Sequence, residues 1–511
     1  MKRVSGGLFP PIALERSKGQ PIYRQLYDWF QRAIASGQLK PGQRVPSTRA
    51  LAAELKISRI PVLNAFEQLH AEGYLQTFMG AGTCVASSIP QEIVAPPPAK
   101  LTGKAAGKLA RPVRRTAKRK ISDANLSAKI VGPQPWLNLK GAFRMHLPAL
   151  DQFPVEVWSR LVARHARKLS KQTMAYGEPM GYAPFREAIA QYIGAVRAVR
   201  CEASQIMVVA GSQQGLQRSA RVLVNPGDAV WMEEPGYFGA RRAFAAVGAR
   251  LIPVPVDEEG LIVEEGIRRC PKARAVYITP SHQYPLGTTM SATRRMQLLN
   301  WASRSGAWII EDDYDSEYRF GVRPIGSLQG LDSDARVIYV GTFSKVMFPA
   351  LRMGYLVVPE DLAPAFSAAR DADDIFSPTL YQAVLTDFIT EGYFGRHVRR
   401  MRMLYMERCN TLVEEIRGEL SDVLEIVSAE AGMHVTGLLP AGVDDAAVSQ
   451  HAMENGISVM PLSFCYLKRP IRNGLVLGYG TTDGAQIREG VRKLRASLEA
   501  VMGGRVSRAR H

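Results

Sequence analysis

The sequence predicts an α/β protein: a mostly parallel sheet covered by helices, with a small helical unit ahead of it. Three observations predict this. From about residue 140 onward, short apolar runs alternate with helical stretches, the pattern of strands buried on both faces. Residues 20–86 carry a different pattern of closely spaced helix and turn signals. The charge is also lopsided. The chain is +18 overall, yet residues 1–120 hold 20 Lys/Arg against 6 Asp/Glu, a net of +14, and the remaining 391 residues only +4. A basic front on a balanced body points to a polyanionic partner at the front. At 511 residues and 46% hydrophobic, the chain is long enough for about three folding units and a large core. Met1–Pro10 has two basic residues and no apolar core, and no run of about 18 apolar residues occurs, so a soluble cytoplasmic chain is expected. Five scattered cysteines form no CxxC pair, which predicts neither a metal site nor a disulfide framework.

The first unit is read over residues 20–86. Ile22, Leu26, Trp29, Ala33 and Ile34 fall near one face of a first helix. Lys40-Pro41-Gly42 makes a turn. Ser47 can cap a second helix running through Leu55, and Ser58 a third. Pro61 is tolerated in that third helix because first-turn amides lack helical partners. Gly73 stops it, and residues 74–78 and 83–86 read as two strands around Gly80-Ala81-Gly82. Helix, helix, tight turn, helix and hairpin make a winged helix-turn-helix. Its third helix can enter the major groove of double-stranded DNA with its first residues at the base edges. Arg49, Arg59 and Asn64 stand where DNA contacts are expected, and Gly80 lies in the wing. The strings PGQRVPSTRALAAEL, ISRIPVLNAFEQLHAEGYL and GAGTCVA resemble the GntR family of bacterial regulators. That resemblance implies DNA contacts at Arg49, Arg59 and the wing around Gly80. Ile60 and Pro61 replace residues that are often polar in the family, and Phe78-Met79-Gly80 lacks the common basic residues, which favours shape readout over polar base readout.

Residues 87–135 read as a basic flexible linker. Three prolines at 96–98 precede the segment 100–120, which has nine Lys/Arg and no acid. A chain of this composition cannot bury enough surface to order itself, and it spans on the order of 40 Å end to end. It serves either as a tether or as a tether that also tracks DNA phosphates.

The body, residues 136–505, shows strand candidates at 207–210, 229–232, 275–278, 307–310 and 337–340, with another at 356–358. Helical stretches such as 213–224 and 292–304 lie between them. Ligands of such sheets sit at the C-terminal strand ends. After the first run comes Gly211-Ser212-Gln213, opening a helix whose free amides suit a phosphate. After the second comes Tyr237, after the fourth Asp312 and Tyr314, after the fifth Thr342, Ser344 and Lys345, then Arg352. Each alone is ordinary. In sheet order they supply a phosphate cradle, a stacking ring, a carboxylate for a protonated pyridine nitrogen and an amine for imine chemistry, the set that pyridoxal 5'-phosphate requires.

The strings GTFSKVMFPALRMGY and YGEPMGYAPFREAI resemble fold-type I aminotransferases. The resemblance implies that Lys345 is the Schiff-base lysine and that Ser212, Gln213, Thr342, Ser344 and Arg352 hold the cofactor phosphate. It implies further that Asp312 pairs with the pyridine nitrogen, Tyr314 reaches the ring oxygen and Tyr237 stacks on the ring. Tyr176 is implied as a phosphate ligand given by a neighbouring subunit, hence a homodimer. His282 and Gln283, in TPSHQYPLG, fall where the family often has an asparagine-proline turn, and His282 is expected at the cofactor.

A winged helix joined by a linker to such a body resembles the MocR/GabR type of transcriptional regulator. That implies a DNA-binding dimer that senses an amine, an amino acid or the cofactor itself through Lys345. The carboxylate-binding arginine of aminotransferases is missing from the late stretch 473–479. Arg472 is close but misplaced, so either Arg241 or Arg242 serves or the effector lacks an α-carboxylate. The rival reading is a working aminotransferase with an accessory DNA-binding head. The retained lysine and aspartate allow partial transamination, while the missing arginine weighs against turnover.

Overall fold

The computed structural model describes residues 10–14, 20–78, 82–86, 140–320 and 326–508. Gly80 and the linker 87–135 lie outside the described residues. The chain divides into two compact units, residues 1–119 and 120–511.

In the first unit, α1 (Ile22–Ala35), α2 (Thr48–Glu54) and α3 (Arg59–Ala71) precede a hairpin of β1 (Leu75–Phe78) and β2 (Gly82–Val85). Leu26, Phe30, Leu51, Val62, Phe66, Leu69 and Leu75 form its core, with the Phe30 and Phe66 rings edge to face at 5.3 Å. Tyr27 and Phe30 are buried in α1 where the sequence reading had placed Trp29, which is half-buried one step around the helix. Ser47 Oγ accepts from the Ala50 amide at 3.2 Å, the expected cap. Ser58 occupies the N-cap position of α3 without a side-chain cap bond. The hairpin pairs Leu75 with Val85 and Phe78 with Gly82. Gly82 has φ +85°, and a Cβ there would press on the Arg44 guanidinium at 3.2 Å, so glycine lets Arg44 lie along the wing.

The second unit is built on an eight-stranded sheet. Its strands are β3 (Ile206–Val209), β4 (Ala229–Glu234), β5 (Arg250–Asp257), β6 (Gly260–Leu261), β7 (Ala275–Ile278), β8 (Trp308–Asp313), β9 (Val337–Thr342) and β10 (Gly354–Val357). They lie in the order β3-β10-β9-β8-β7-β4-β5-β6. β4, β5, β7, β8 and β9 are parallel, β10 runs antiparallel to both neighbours, and β6 turns back on β5. Successive residues feed opposite faces. Val230 and Met232 join one apolar cluster with helix Ser212–Leu223, and Ala229 and Trp231 join another with helix Ala292–Ser305. A second sheet follows, β11 (Glu425–Ile426), β12 (His434–Leu438), β13 (Met460–Pro461) and β14 (Gly474–Gly478), in the order β11-β12-β14-β13 and antiparallel throughout. Among the described residues, no helix is long and apolar enough to cross a membrane.

Candidate functional site

One cavity of about 280 Å³ opens where the C-terminal ends of β3, β4, β7, β8 and β9 converge. Its wall includes Ser212, Gln213, Tyr237, Asp312, Tyr314, Thr342, Ser344, Lys345 and Arg352, so nine side chains singled out in the sequence meet in one place. Ser212 and Gln213 open helix Ser212–Leu223, where free backbone N–H groups and the helix dipole favour an anion. Gly211 precedes them at φ +87°, and a Cβ there would stand 3.3 Å from the Arg352 guanidinium. With glycine in place, Arg352 closes onto this loop and donates to the Ala210 carbonyl at 2.6 Å. The Thr342 hydroxyl accepts from the Ser344 amide at 3.2 Å, fixing the turn that follows β9.

β8 ends in three consecutive buried acids, and each has a separate task. Glu311 accepts the Leu328 and Gln329 amides at 2.8 and 2.9 Å. Asp313 accepts from Arg197 Nε at 2.7 Å and from the Tyr339 hydroxyl at 2.5 Å. Burial would raise its pKa, but Arg197 holds the carboxyl below the usual range. Asp312, between them, faces the cavity. Its Oδ2 accepts from the Tyr277 hydroxyl at 2.8 Å, while Oδ1 is buried with no hydrogen-bond partner. Burial pushes this carboxyl up to about 7, against the opposing pull of the Tyr277 hydrogen bond.

Lys345 presents its amine to the same cavity. Nζ donates to the His146 carbonyl at 3.0 Å. Burial lowers its pKa to about 8, with Asp315 and Asp312 pulling the other way. Neutral amine is therefore far more abundant near pH 7 than on a solvated lysine.

His282, placed at the cofactor in the sequence reading, does not line the cavity. It is buried behind Tyr314, with Nδ1 2.9 Å from the Tyr314 hydroxyl and 2.9 Å from Asp315 Oδ1. Gln283 is likewise turned inward, donating to the Pro235 and Tyr284 carbonyls. The residue of that turn that reaches the cavity is Tyr284, whose hydroxyl lies 3.2 Å from His146 Nε2. Tyr176 also stands apart from its own chain's cavity and is 83% exposed. Met145, His146, Leu147, Tyr277 and Pro349 complete the wall. Sequence reading missed them: residues 145–147 sit on no strand, and Tyr277 reads as an interior strand residue. The three arginines considered for a carboxylate do not line the cavity either. Arg241 is buried and spends its guanidinium on the Gly236, Phe464 and Cys465 carbonyls. Arg472 is paired with Glu425 at 2.7 Å on the surface.

In the first unit, Arg49, Arg59 and Asn64 are all exposed. Arg59 Nε donates to Thr48 Oγ1 at 3.2 Å, which fixes the start of α3 against the start of α2.

Comparison with known proteins agrees with both units. Residues 22–85 match the bacterial regulatory proteins of the gntR family, and residues 148–493 match aminotransferase class I and II. The probable rhizopine catabolism regulatory protein MocR of Rhizobium meliloti is 39% identical over 490 residues, 96% of each chain. The chain belongs to the MocR/GabR type of GntR-family transcriptional regulator. The pyridoxine biosynthesis transcriptional regulator PdxR of Corynebacterium glutamicum is 31% identical over 94% of this chain and 96% of its own. Among solved structures, LysN, an alpha-aminoadipate aminotransferase of Thermus thermophilus complexed with N-(5'-phosphopyridoxyl)-L-leucine, matches with TM-score 0.68 and 29% identity. The match covers 74% of this chain and 97% of that one. As in other members of this type, the head is a DNA-binding helix-turn-helix and the body an aminotransferase-like fold.

Proposed function

We propose that this MocR/GabR-type regulator works in the cytoplasm as a homodimer whose body holds pyridoxal 5'-phosphate and reads an amine, an amino acid or the cofactor itself. The observation that carries the reading is the pairing, in one cavity, of the lowered-pKa amine of Lys345 with the bare, buried Oδ1 of Asp312. A buried acceptor without a partner costs about 1–3 kcal/mol, so the site is built for a donor that the chain does not supply. A protonated pyridine nitrogen is such a donor.

The remaining residues fit the rest of that molecule. The Ser212 and Gln213 amides, the Thr342 and Ser344 hydroxyls and Arg352 would hold its phosphate, and Tyr237 would cover its ring. Tyr314, oriented through His282 and Asp315, would donate to the ring oxygen. Tyr176, exposed on its own chain, is left for the cavity of a second copy. When bound, pyridoxal phosphate supplies an aldehyde that captures primary amines and a ring that withdraws electrons. Lys345 offers the neutral amine for attachment. Asp312 would accept from the ring nitrogen, the protonated ring favouring its carboxylate form, and Tyr237, Tyr277, Tyr284 and Tyr314 would line the ring with aromatic surface. An effector shifts the regulator between states only by its differential affinity for them.

The test is the visible absorption spectrum of wild type beside Lys345→Ala after adding pyridoxal phosphate. A band in wild type that is missing from the variant establishes the site. Spectra with no such band in either protein would overturn the cofactor reading, leaving a DNA-binding protein with another kind of sensor. Amines are then screened for their power to shift the band and to alter DNA protection. Sustained amino transfer to a keto acid would instead favour the enzyme reading.

A further inference from the structure

We infer that the head reads thymine methyl groups, and that Ile60, seconded by Leu63, is the side chain that reads them. The inference rests on the DNA-binding reading of the head and goes beyond it by naming the base feature recognised.

α3 has two faces. Val62, Ala65, Phe66 and Leu69 are buried in the head's core. The outward residues are Arg59, Ile60, Leu63, Asn64 and Glu67. At about 100° per residue these five span a single arc, with Glu67 and Ile60 near its centre and Arg59 and Asn64 at its edges. Ile60 is 69% exposed and Leu63 37%. Ile60, in the first turn of the helix, joins no apolar cluster among the described residues. Three exposed arginines flank this face, Arg49 at the start of α2, Arg59 at the start of α3 and Arg44 beside the wing, against one acid, Glu67, two turns along α3. That charge suits phosphates on either side of a groove and disfavours a hydrophobic protein partner.

In the major groove the apolar feature a base offers is the C5 methyl group of thymine, and the first turn of a recognition helix meets the base edges. An isoleucine there has no donor or acceptor to spend. It discriminates by burying a methyl where cytosine has only C5–H and, beside it, an amino donor that isoleucine cannot satisfy. Arg59 and Asn64 can still make polar contacts on either side. Apolar contact is therefore the readout that position 60 can supply, in addition to any reading of DNA shape.

The experiment uses the full-length protein. Preferred duplexes are selected from a random double-stranded library. Each thymine of the recovered site is then replaced by uracil, which deletes only the methyl group. For wild type, replacement of at least one thymine per half-site should weaken binding about fourfold, the worth of one buried methyl. Ile60→Ala should bind the thymine and uracil duplexes equally, and Leu63→Ala should retain part of the difference. Both side chains are exposed, so the head stays folded, and Ile60→Val checks this by keeping most of the discrimination. Wild-type binding indifferent to every uracil replacement would overturn the inference while leaving DNA binding intact. So would full methyl discrimination persisting in Ile60→Ala. Retention of no duplex by wild type would overturn the inference together with the DNA-binding reading beneath it.

Discussion

The Asp312 carboxyl has one oxygen bonded to Tyr277 and the other bare. Its place at the end of β8 was legible in the sequence, but the bare oxygen was not, because only the fold decides which of three adjacent acids turns into the cavity with an oxygen left bare. Removing its charge by Asp312→Asn should weaken pyridoxal phosphate about tenfold to a hundredfold, the worth of a buried charge-assisted hydrogen bond of ~1.5–3 kcal/mol. Titrating the cofactor into both proteins by absorbance measures this, and equal affinities would remove Asp312 from the site. The cofactor-free protein offers a second check. Burial raises this carboxyl from 3.8 to about 7. Across that window the native state keeps a proton that the unfolded chain has lost. Stability should therefore fall as pH rises from about 4 to 7. Asp312→Asn lacks this contribution, so its urea midpoint should gain on that of wild type over the same range. Parallel profiles would show that the native carboxyl is not raised.

At the scale of elements, the segment 140–150 was the least legible and touches the site most directly. Strands β3, β4, β7, β8 and β9 are announced by continuous apolar runs, and the residues just past them could be placed by counting. Segment 140–150 has no period to read. It is held by scattered long-range bonds, such as Phe143 N to Thr482 Oγ1 at 3.2 Å and Ala149 N to the Tyr405 hydroxyl at 2.8 Å. The stretch 473–479 holds β14, but β5 and the other strands of the small sheet were missed for a related reason. β5 is interrupted by Pro253 and Pro255, and the two-residue strands β11 and β13 are too short to show alternation. Within segment 140–150, Phe143 and His146 adopt left-handed backbone angles, φ +67° and +68°, which cost non-glycine residues about 1–3 kcal/mol each. The His146 carbonyl takes the Lys345 amine, so imine formation there, which strips the nitrogen of N–H donors, disturbs the bond. Hydrogen exchange in peptides covering 144–147 should therefore change when pyridoxal phosphate is added, while β8 peptides stay as they were. Identical uptake with and without the cofactor would show that this segment does not respond to Lys345.

On the scale of the whole molecule, what joins the two units is read from sequence alone. Segment 100–120 carries nine Lys/Arg with no acid, and it accounts for much of the +14 on residues 1–120. The head itself already presents Arg44, Arg49 and Arg59 to a polyanion. A purely spacing role predicts that these three, with whatever the wing adds, set the whole salt dependence of DNA binding. A role in tracking phosphates predicts more. Each phosphate neutralised adds about 0.9 to the slope of log affinity against log salt, and a linker that contacts DNA adds its share for every sequence equally. Replacing Arg114, Arg115, Lys118, Arg119 and Lys120 by glutamine should then flatten the slope by roughly 0.9 to 4.5, depending on how many of the five sit on phosphates. Affinity for preferred and random duplexes should fall by the same factor, because backbone contacts carry no sequence information. The thymine discrimination assigned to Ile60 should be untouched, which separates linker from head in a single set of titrations. A slope identical to wild type would mean that the charge run only keeps the tether solvated, and that all contact with DNA belongs to the head.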